Sequence, residues 1–297
     1  MDPITVFDKE RHVFFLQVML DSLPAEYETQ EINTLTLAYF AVSALKILDA
    51  LDLVDKVQIV NWVLSFQAHP KDESELKNGM GSSMDFMGRK VLSTQMPIQS
   101  FMPTHIGAET DLRFVYCAAA ICSMCDNWIG MDKGKAKDYI VQCQSYDGGF
   151  GLVPGSESHG GATYCAVAAL QLMGFIEDDI LNKFRPSSVI NVPMLVEWSM
   201  QRQAADGGFN GRANKPSDTC YAFWVGGVLK MLGAYQLLDR VALRRFLLSC
   251  QSQYGGFTKF PENMLPELYH SYYGFSALSL LEEPGLNPLC VELGFPL

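Results

Sequence analysis

Gln144-Ser-Tyr-Asp-Gly-Gly-Phe150, Gln203-Ala-Ala-Asp-Gly-Gly-Phe209 and Gln251-Ser-Gln-Tyr-Gly-Gly-Phe257 share one spacing, a glutamine with Gly-Gly-Phe beginning four residues later. A decayed copy is Gln95-Met-Pro-Ile-Gln-Ser-Phe101, and Trp62-Val-Leu-Ser-Phe-Gln67 is a fragment of another. Each glutamine ends a helical segment, as in 241–250, and the glycine pair makes a turn. After the turn comes a second helix that is apolar almost all round, as in 113–124, 162–172, 219–232 and 271–281. Such a helix must be buried on every face or line an apolar cavity. Amphipathic outer helices alternating with apolar inner ones describe stacked helical hairpins. If curvature closes the array, the fold is an all-α, α/α barrel (toroid) around a central apolar cavity, a single domain over 1–297. Residues 33–51 read as a further inner helix and 53–67 as the next outer one.

The glutamines stand at 67, 95, 144, 203 and 251, so the intervals are 28, 49, 59 and 48. The 59 holds a loop insertion, Phe184-Arg-Pro-Ser-Ser-Val-Ile-Asn-Val-Pro193. The 28 is too short for an inner helix, a connection and an outer helix, and lacks about 20 residues against the repeat period. Residues 68–94, rich in Lys, Asp, Gly, Ser and Met, carry no convincing inner helix. One hairpin is therefore expected to be clipped.

The chain is 48% hydrophobic and 19% charged, enough to bury a large core, and its net charge of −11 argues against nucleic acid as a partner. The Met1-Asp2-Pro3 start has no secretory pattern, and no apolar run reaches the roughly 20 residues of a membrane span. Eight cysteines set mostly among apolar residues read as reduced thiols of a cytoplasmic protein. Cys122 and Cys125 have CxxC spacing without a second pair, and read as helix interior.

Unusual polar residues gather at equivalent points of the repeat, where inner helices begin. Ser158-His159-Gly160-Gly161 opens one helix, and Glu267-Leu268-Tyr269-His270 opens another. Between them, Arg212-Ala-Asn-Lys-Pro-Ser-Asp-Thr-Cys-Tyr221 packs three chemistries into ten residues. Arg212 and Lys215 are loop cations within reach of an anion. Asp218 and Cys220 pair a hard oxygen with a soft sulfur, a mixture suited to zinc. Pro216-Ser217-Asp218 reads as a helix start, with Asp218 near the cap and Cys220 in the first turn. Taken singly, these residues also fit a capped loop, a solvated face and a buried cysteine. In a closed array the helix starts share one mouth.

At this point the sequence resembles the β subunits of protein prenyltransferases, most closely those of the type I geranylgeranyltransferases. The resemblance covers nearly the whole chain. It rests on Glu157-Ser-His-Gly-Gly161, Asn214-Lys-Pro-Ser-Asp-Thr-Cys-Tyr-Ala-Phe-Trp224, Tyr269-His270 and Asp111-Leu-Arg-Phe-Val-Tyr-Cys117. It implies an α/α barrel embraced by a helical α subunit in a heterodimer. It further implies that Asp218, Cys220 and His270 bind one Zn2+, leaving a fourth position for the substrate thiol. His159, Arg212, Lys215 and Tyr221 match diphosphate-binding positions, and the α subunit adds a lysine. Lys259 stands where farnesyl enzymes place a Mg2+-binding aspartate, which implies a reaction that does not require Mg2+. Thr36 replaces a bulky cavity-closing tryptophan of farnesyl enzymes and implies a geranylgeranyl donor. Phe40, Arg113, Tyr116, Cys117 and Trp224 match positions lining the isoprenoid channel. Tyr269 is shared with farnesyl enzymes and implies an overlapping peptide preference.

The reading that follows is a catalytic β subunit transferring a geranylgeranyl group from its diphosphate to C-terminal CaaX motifs ending in a Leu-like residue, as on small GTPases. The rivals are a farnesyltransferase β subunit, disfavoured by Thr36 and Lys259, and a shortened non-catalytic form that only binds the α subunit. A terpene cyclase shares the repeat architecture but needs an Asp-rich initiation motif that is absent here.

Overall fold

The structure, a computed structural model, describes residues 6–21, 27, 34–65, 83–84, 90–91, 110–177, 180–181, 187–262 and 264–297. An inner layer consists of α2 (Thr34–Ile47), α4 (Leu112–Met124), α6 (Gly160–Leu172), α8 (Thr219–Met231) and α10 (Leu268–Leu280). An outer layer consists of α1 (Lys9–Asp21), α3 (Lys56–Ser65), α5 (Lys133–Gln142), α7 (Val192–Met200) and α9 (Arg240–Ser249). Two-residue strands pair antiparallel as β1 (Ser83–Met84) with β2 (Lys90–Val91), and β3 (Leu289–Cys290) with β4 (Phe295–Pro296). The inner helix expected over 33–51 ends at Ile47 and continues through a 3-10 turn at Leu51–Leu53. Apart from β1 and β2, the clipped interval 68–94 and the decayed copy at Gln95–Phe101 lie outside the described residues.

The innermost helices are apolar on nearly every face because they are enclosed on nearly every face. Residues Leu268, His270 to Leu280 of α10 are all buried, and so is nearly all of α8. The inner helices pack side by side in the order α4, α6, α8, α10, α2. Among the described residues α2 and α4 make no contact of comparable extent. Among the described residues the inner row thus has a seam between α2 and α4, the two helices that flank the short interval.

The repeated turn is a clasp between consecutive hairpins. Each glutamine bridges to the phenylalanine of its own turn, and Phe150, Phe209 and Phe257 are completely buried. The glutamine side chain then reaches across to the capping residue of the next outer helix. Gln144 accepts from the Asn191 N–H at 3.1 Å and donates to Gly148 O at 3.0 Å. Gln203 accepts from Asp239 N–H at 3.1 Å and donates to Asp239 O at 3.0 Å. Gln251 accepts from the Asp8 N–H at 3.3 Å and donates to Val6 O at 3.2 Å. Asn191, Asp239 and Asp8 each cap their helix through Oδ1, accepting from Met194, Ala242 and Arg11 N–H. The first glycine of each pair passes against those same third residues, and the second passes against the ring of the seventh, Trp198, Phe246 or Phe15. A Cβ at any of these glycines would collide with the next helix. α1 thus occupies the register of α7 and α9, and the last clasp closes the ring onto the start of the chain.

The closing clasp has an extra member. His12 is fully buried, stacked between the rings of Phe7 and Phe257 at 4.9 and 5.1 Å. Its Nδ1 accepts from the Gly256 N–H at 2.8 Å, so its proton sits on Nε2 and is donated to Gln251 Oε1 at 2.9 Å. Burial penalises the charged ring, outweighs the help from Gln251 and Asp8, and lowers its pKa to about 4. The unfolded chain has the ordinary value of 6.5, so below that pH it binds a proton that the folded chain refuses. The contribution of His12 is complete above pH 6.5 and lost as the pH falls to about 4, a difference on the order of 3 kcal/mol. Chemical denaturation across this range should show stability rising with pH in the wild type. The slope should flatten in His12→Phe.

Candidate metal centre and anion-binding rim

The inner helices α4, α6, α8 and α10 begin at one rim of the barrel, and their capping residues carry the chemistry. Asp218 is the N-cap of α8 in an extended conformation, and its Oδ1 accepts from the Cys220 N–H at 2.9 Å. That short capping loop turns Cys220 to the same side as Asp218. His270, in the first turn of α10, brings Nε2 to 3.1 Å from Asp218 Oδ1. The ligand atoms of Asp218, Cys220 and His270 all lie within 4.8 Å of one another, and all three residues are buried. This is the one such cluster among the described residues.

The electrostatics of the cluster call for a cation. Burial raises the Cys220 thiol well above its usual range, and the adjacent Asp218 carboxylate raises it further. For Asp218, burial alone would raise the pKa, but hydrogen bonding to His270 and Cys220 leaves it lowered. Burial likewise disfavours charged His270, and the two carboxylates of Asp218 and Glu267 overcome it. Oxygen, sulfur and nitrogen donors, converging and otherwise poorly compensated, fit zinc. Glu267 contacts His270 Nδ1, which directs Nε2 at the cluster. Lys259 Nζ lies 3.7 Å from Asp218 Oδ2, held there because its backbone carbonyl accepts from the Thr219 N–H.

Next to the cluster is the rim of α6. His159 caps that helix, its Nδ1 accepting from the Gly161 N–H at 3.1 Å. This fixes the proton on Nε2, which faces the Tyr221 hydroxyl at 3.0 Å. Burial and the Arg212 charge lower the His159 pKa, keeping the ring neutral as a donor. Burial, with Cys220 and Asp218 nearby, pushes Tyr221 up to about 12. The Tyr221 ring crosses directly over Gly211, where any side chain would overlap it. Arg212 is exposed and pairs with exposed Glu157 at 3.3 Å, a contact weak enough to exchange for an anion. Lys215 is exposed on the same loop, its N–H donates to Arg212 O, and its side chain makes no hydrogen bond or ion pair among the described residues.

Below the rim is an aromatic wall. Phe40 of α2 meets Tyr269 and Tyr272 at ring distances of 5.7 and 5.2 Å. Tyr273 meets Trp224 at 4.5 Å, Trp224 meets Tyr164 at 4.8 Å, and Tyr164 meets Tyr116 at 5.5 Å. The rings form one chain through α2, α10, α8, α6 and α4. The Tyr269 hydroxyl accepts from Trp224 Nε1–H at 3.4 Å and is tied to the Cys220 thiol. Thr36 is half-buried on α2, with a buried hydroxyl that has no partner. Arg113 is tied to its own capping residue, donating from Nε and Nη2 to Asp111. Cys117 is half-buried on α4, close enough to Cys165 to raise that thiol. Asp218, Cys220, His270, Lys259 and Tyr269 therefore form one group, His159, Tyr221 and Arg212 a second beside it, and Phe40, Tyr116 and Trp224 the wall.

Sequence reasoning did not assign roles to Glu267, Glu157 or Gly211. A signal existed for the first, a carboxylate one helical turn before a ligand histidine. Gly211 had only its fixed position before Arg212.

Comparison with known proteins follows this geometry. The prenyltransferase alpha-alpha toroid domain matches residues 7–90 and 83–294. Geranylgeranyl transferase type-1 subunit beta of Arabidopsis thaliana is 52% identical, covering 99% of this chain and 90% of that protein. The protein of the same description from Dictyostelium discoideum is 32% identical, covering 96% and 95%. The solved structure of Candida albicans protein geranylgeranyltransferase-I complexed with GGPP superposes with a TM-score of 0.77 at 22% identity, over 98% of this chain and 96% of that one, a likeness of fold. The Arabidopsis alignment runs over 340 positions against 297 residues here, so at least 43 of its positions have no counterpart in this chain. The two domain matches meet at 83–90, inside the clipped interval. The chain belongs to the prenyltransferase α/α toroid family.

Proposed function

We propose that this chain is the catalytic β subunit of a heterodimeric protein geranylgeranyltransferase type I. The observation that carries the reading is the buried Asp218, Cys220 and His270 cluster at the rim of an aromatic funnel, in a chain 52% identical to a type-1 β subunit. The donor is geranylgeranyl diphosphate, and the acceptor is the cysteine of a C-terminal CaaX motif ending in a Leu-like residue. The partner is a prenyltransferase α subunit. The compartment is the cytoplasm, where the eight free cysteines stay reduced. No helix among the described residues is long and apolar enough to cross a membrane.

Asp218, Cys220 and His270 would hold Zn2+. When bound, the ion supplies the positive charge that deprotonates the substrate thiol at neutral pH while leaving it nucleophilic. The chain's own residues do the rest. Phe40, Tyr116, Trp224 and Tyr269 hold the isoprenoid by its apolar length and exclude water from the reacting carbon. Carbon–oxygen cleavage leaves charge on the diphosphate, and donors already in place stabilise it without reorganisation. His159 offers Nε2–H and Tyr221 its hydroxyl, while Arg212 exchanges Glu157 for phosphate oxygens and Lys215 adds a second cation. Lys259 places a fixed ammonium beside the reacting end, which supports turnover without Mg2+. Thr36, small where a longer donor needs room, supports geranylgeranyl over farnesyl.

Single-turnover transfer by the chain co-expressed with a type I α subunit tests the proposal. Geranylgeranyl or farnesyl diphosphate is offered with a Leu-ending or Met-ending peptide, with zinc and without Mg2+. The expected result is geranylgeranyl transfer to the Leu-ending peptide, abolished by Cys220→Ala. A soluble, zinc-loaded heterodimer that transfers nothing would overturn the catalytic reading in favour of a shortened form that only binds the α subunit. Glu267→Gln should weaken zinc about 10- to 100-fold in chelator competition, because the ring of His270 loses its orienting carboxylate.

A further inference from the structure

The residue before each clasp glutamine departs from the repeat at one place. Cys143 and Cys250 precede Gln144 and Gln251, and both are buried thiols. Before Gln203 the same position holds Arg202. Its backbone keeps the bonding of the repeat, because the carbonyls of Cys143, Arg202 and Cys250 accept from the Gly151, Asn210 and Thr258 N–H groups. The side chain is the exception. Arg202 is only 7% exposed, and its Nε and Nη1 are buried with no hydrogen-bond partner among the described residues. The guanidinium lies 5.1 Å from the centre of the Trp198 ring, a contact that supports the charge and fills none of its N–H bonds. A buried guanidinium short of acceptors is destabilising, and a cysteine serves the other two clasps.

The surroundings identify the missing acceptor. Trp198 backs onto the loop that leads to α6, since a Cβ at Gly149 would meet Trp198 Cε2 and Ser158 Cβ, each at 2.7 Å. Burial lowers the Arg202 pKa, and Asp147 and Glu157 are the carboxylates that act against it. Asp147 is already committed, its Oδ1 accepting from Ser158 Oγ and from the Gly149 N–H. Glu157 is exposed and held only by Arg212, at 3.3 Å. The Arg212 loop itself hangs from Arg202, whose carbonyl holds Asn210, and Gly211 O then accepts from the Gly160 N–H. Glu157 thus answers to two guanidinium groups, the exposed one of Arg212 and the buried one of Arg202.

We propose that Arg202 is a positioning residue, which takes Glu157 from Arg212 when a diphosphate reaches the rim. The inference rests on the proposed anion site. A diphosphate that occupies Arg212 stands beside the carboxylate it displaces, and the like charges repel. Arg202 offers that carboxylate a second cation with unfilled N–H donors, so Glu157 turns from the ligand and both guanidinium groups end up paired. Binding exchanges one weak, exposed ion pair for two charge-assisted ones.

The test is competition against a fluorescent isoprenoid diphosphate bound to the α-subunit complex, with geranylgeranyl diphosphate and uncharged geranylgeraniol as competitors. Arg202→Met keeps a side chain against Trp198 and removes the charge. Affinity for geranylgeranyl diphosphate should fall about 10-fold, the scale of coupled charges, while geranylgeraniol competes as before. Adding Glu157→Gln should restore the diphosphate to within about twofold of the wild type, because the carboxylate that had to move is gone. Arg202→Lys keeps the charge with fewer donors, so its loss should be smaller, about threefold, and restored in the same way. The lysine variant decides the matter if methionine prevents folding. A loss that Glu157→Gln does not restore, a loss shared by geranylgeraniol, or no loss at all would overturn the role of Arg202 and leave the anion site standing. A wild-type complex that binds the diphosphate no better than the alcohol would sink both.

Discussion

Everything in this barrel depends on the reach of one glutamine side chain. An outer helix ends, the glutamine folds across the glycine turn, and its amide meets the capping residue of the next outer helix. Any one such bond is worth only about 1 kcal/mol net. Its value lies in setting an angle: each clasp fixes how one hairpin leans on the next, and equal leans sum to a closed ring. Gln251 makes the point, because its partner Asp8 is 243 residues away in sequence yet stands where the next repeat would begin. Closure then carries every inner helix start to one rim.

Placing chemistry at helix starts allows a single residue to serve two purposes. Asp218 ends the backbone accounting of α8 by accepting from Cys220 N–H and also offers an oxygen to the metal cluster. His159 does the same for α6 with one nitrogen, leaving the other to face Tyr221. α10 breaks the pattern in an instructive way. Its N-cap Glu267 makes no capping bond, and the carboxylate turns to His270 instead. Capping strength is given up there in exchange for holding a ligand ring. The other inner helices direct the positive ends of their dipoles at the same rim, which suits an anion beside Arg212, Lys215 and Lys259.

Much of this was legible in the sequence because the repeat is local. Gln, Gly-Gly and Phe fall within seven residues, and the inner helices declare themselves by being apolar on all sides. Asp218, Cys220 and His270 stood out by the same route, as polar exceptions at equivalent repeat positions, and the resemblance gave them as a metal set. What stayed hidden is what depends on distant partners. α1 carries Lys9, Glu10, Arg11 and His12 in its first turn, which reads as a solvated segment until Gln251 and Phe257 enclose the histidine. The tyrosine hydroxyls of 39 and 164 find their acceptors in the last seven residues of the chain. No spacing rule connects residues so far apart. Lys259 was placed by resemblance, and the structure gives its physical reason in the carbonyl bond to Thr219.

The short interval between Gln67 and Gln95 acts on one side of the barrel, and the chemistry sits on the other. Asp218, Cys220 and His270 belong to α8 and α10, and each of those helices has an inner neighbour on both flanks. The seam falls between α2 and α4. These are the helices that carry Thr36, Phe40, Arg113, Tyr116 and Cys117, positions that the resemblance assigned to the isoprenoid channel rather than to the cluster or the anion rim. α4 is the less covered helix, with Arg113 and Met124 exposed and Phe114, Tyr116, Cys117, Ile121 and Cys122 only partly covered, whereas α6 and α8 are enclosed almost throughout. Zinc ligation is decided by atoms within a few ångströms and does not sense a missing neighbour across the funnel. Retention of a long apolar tail is decided by the area of wall it touches, at about 25 cal/mol per Å2. On the proposed function, the short interval therefore bears on retention of the isoprenoid and not on the Asp218, Cys220 and His270 cluster.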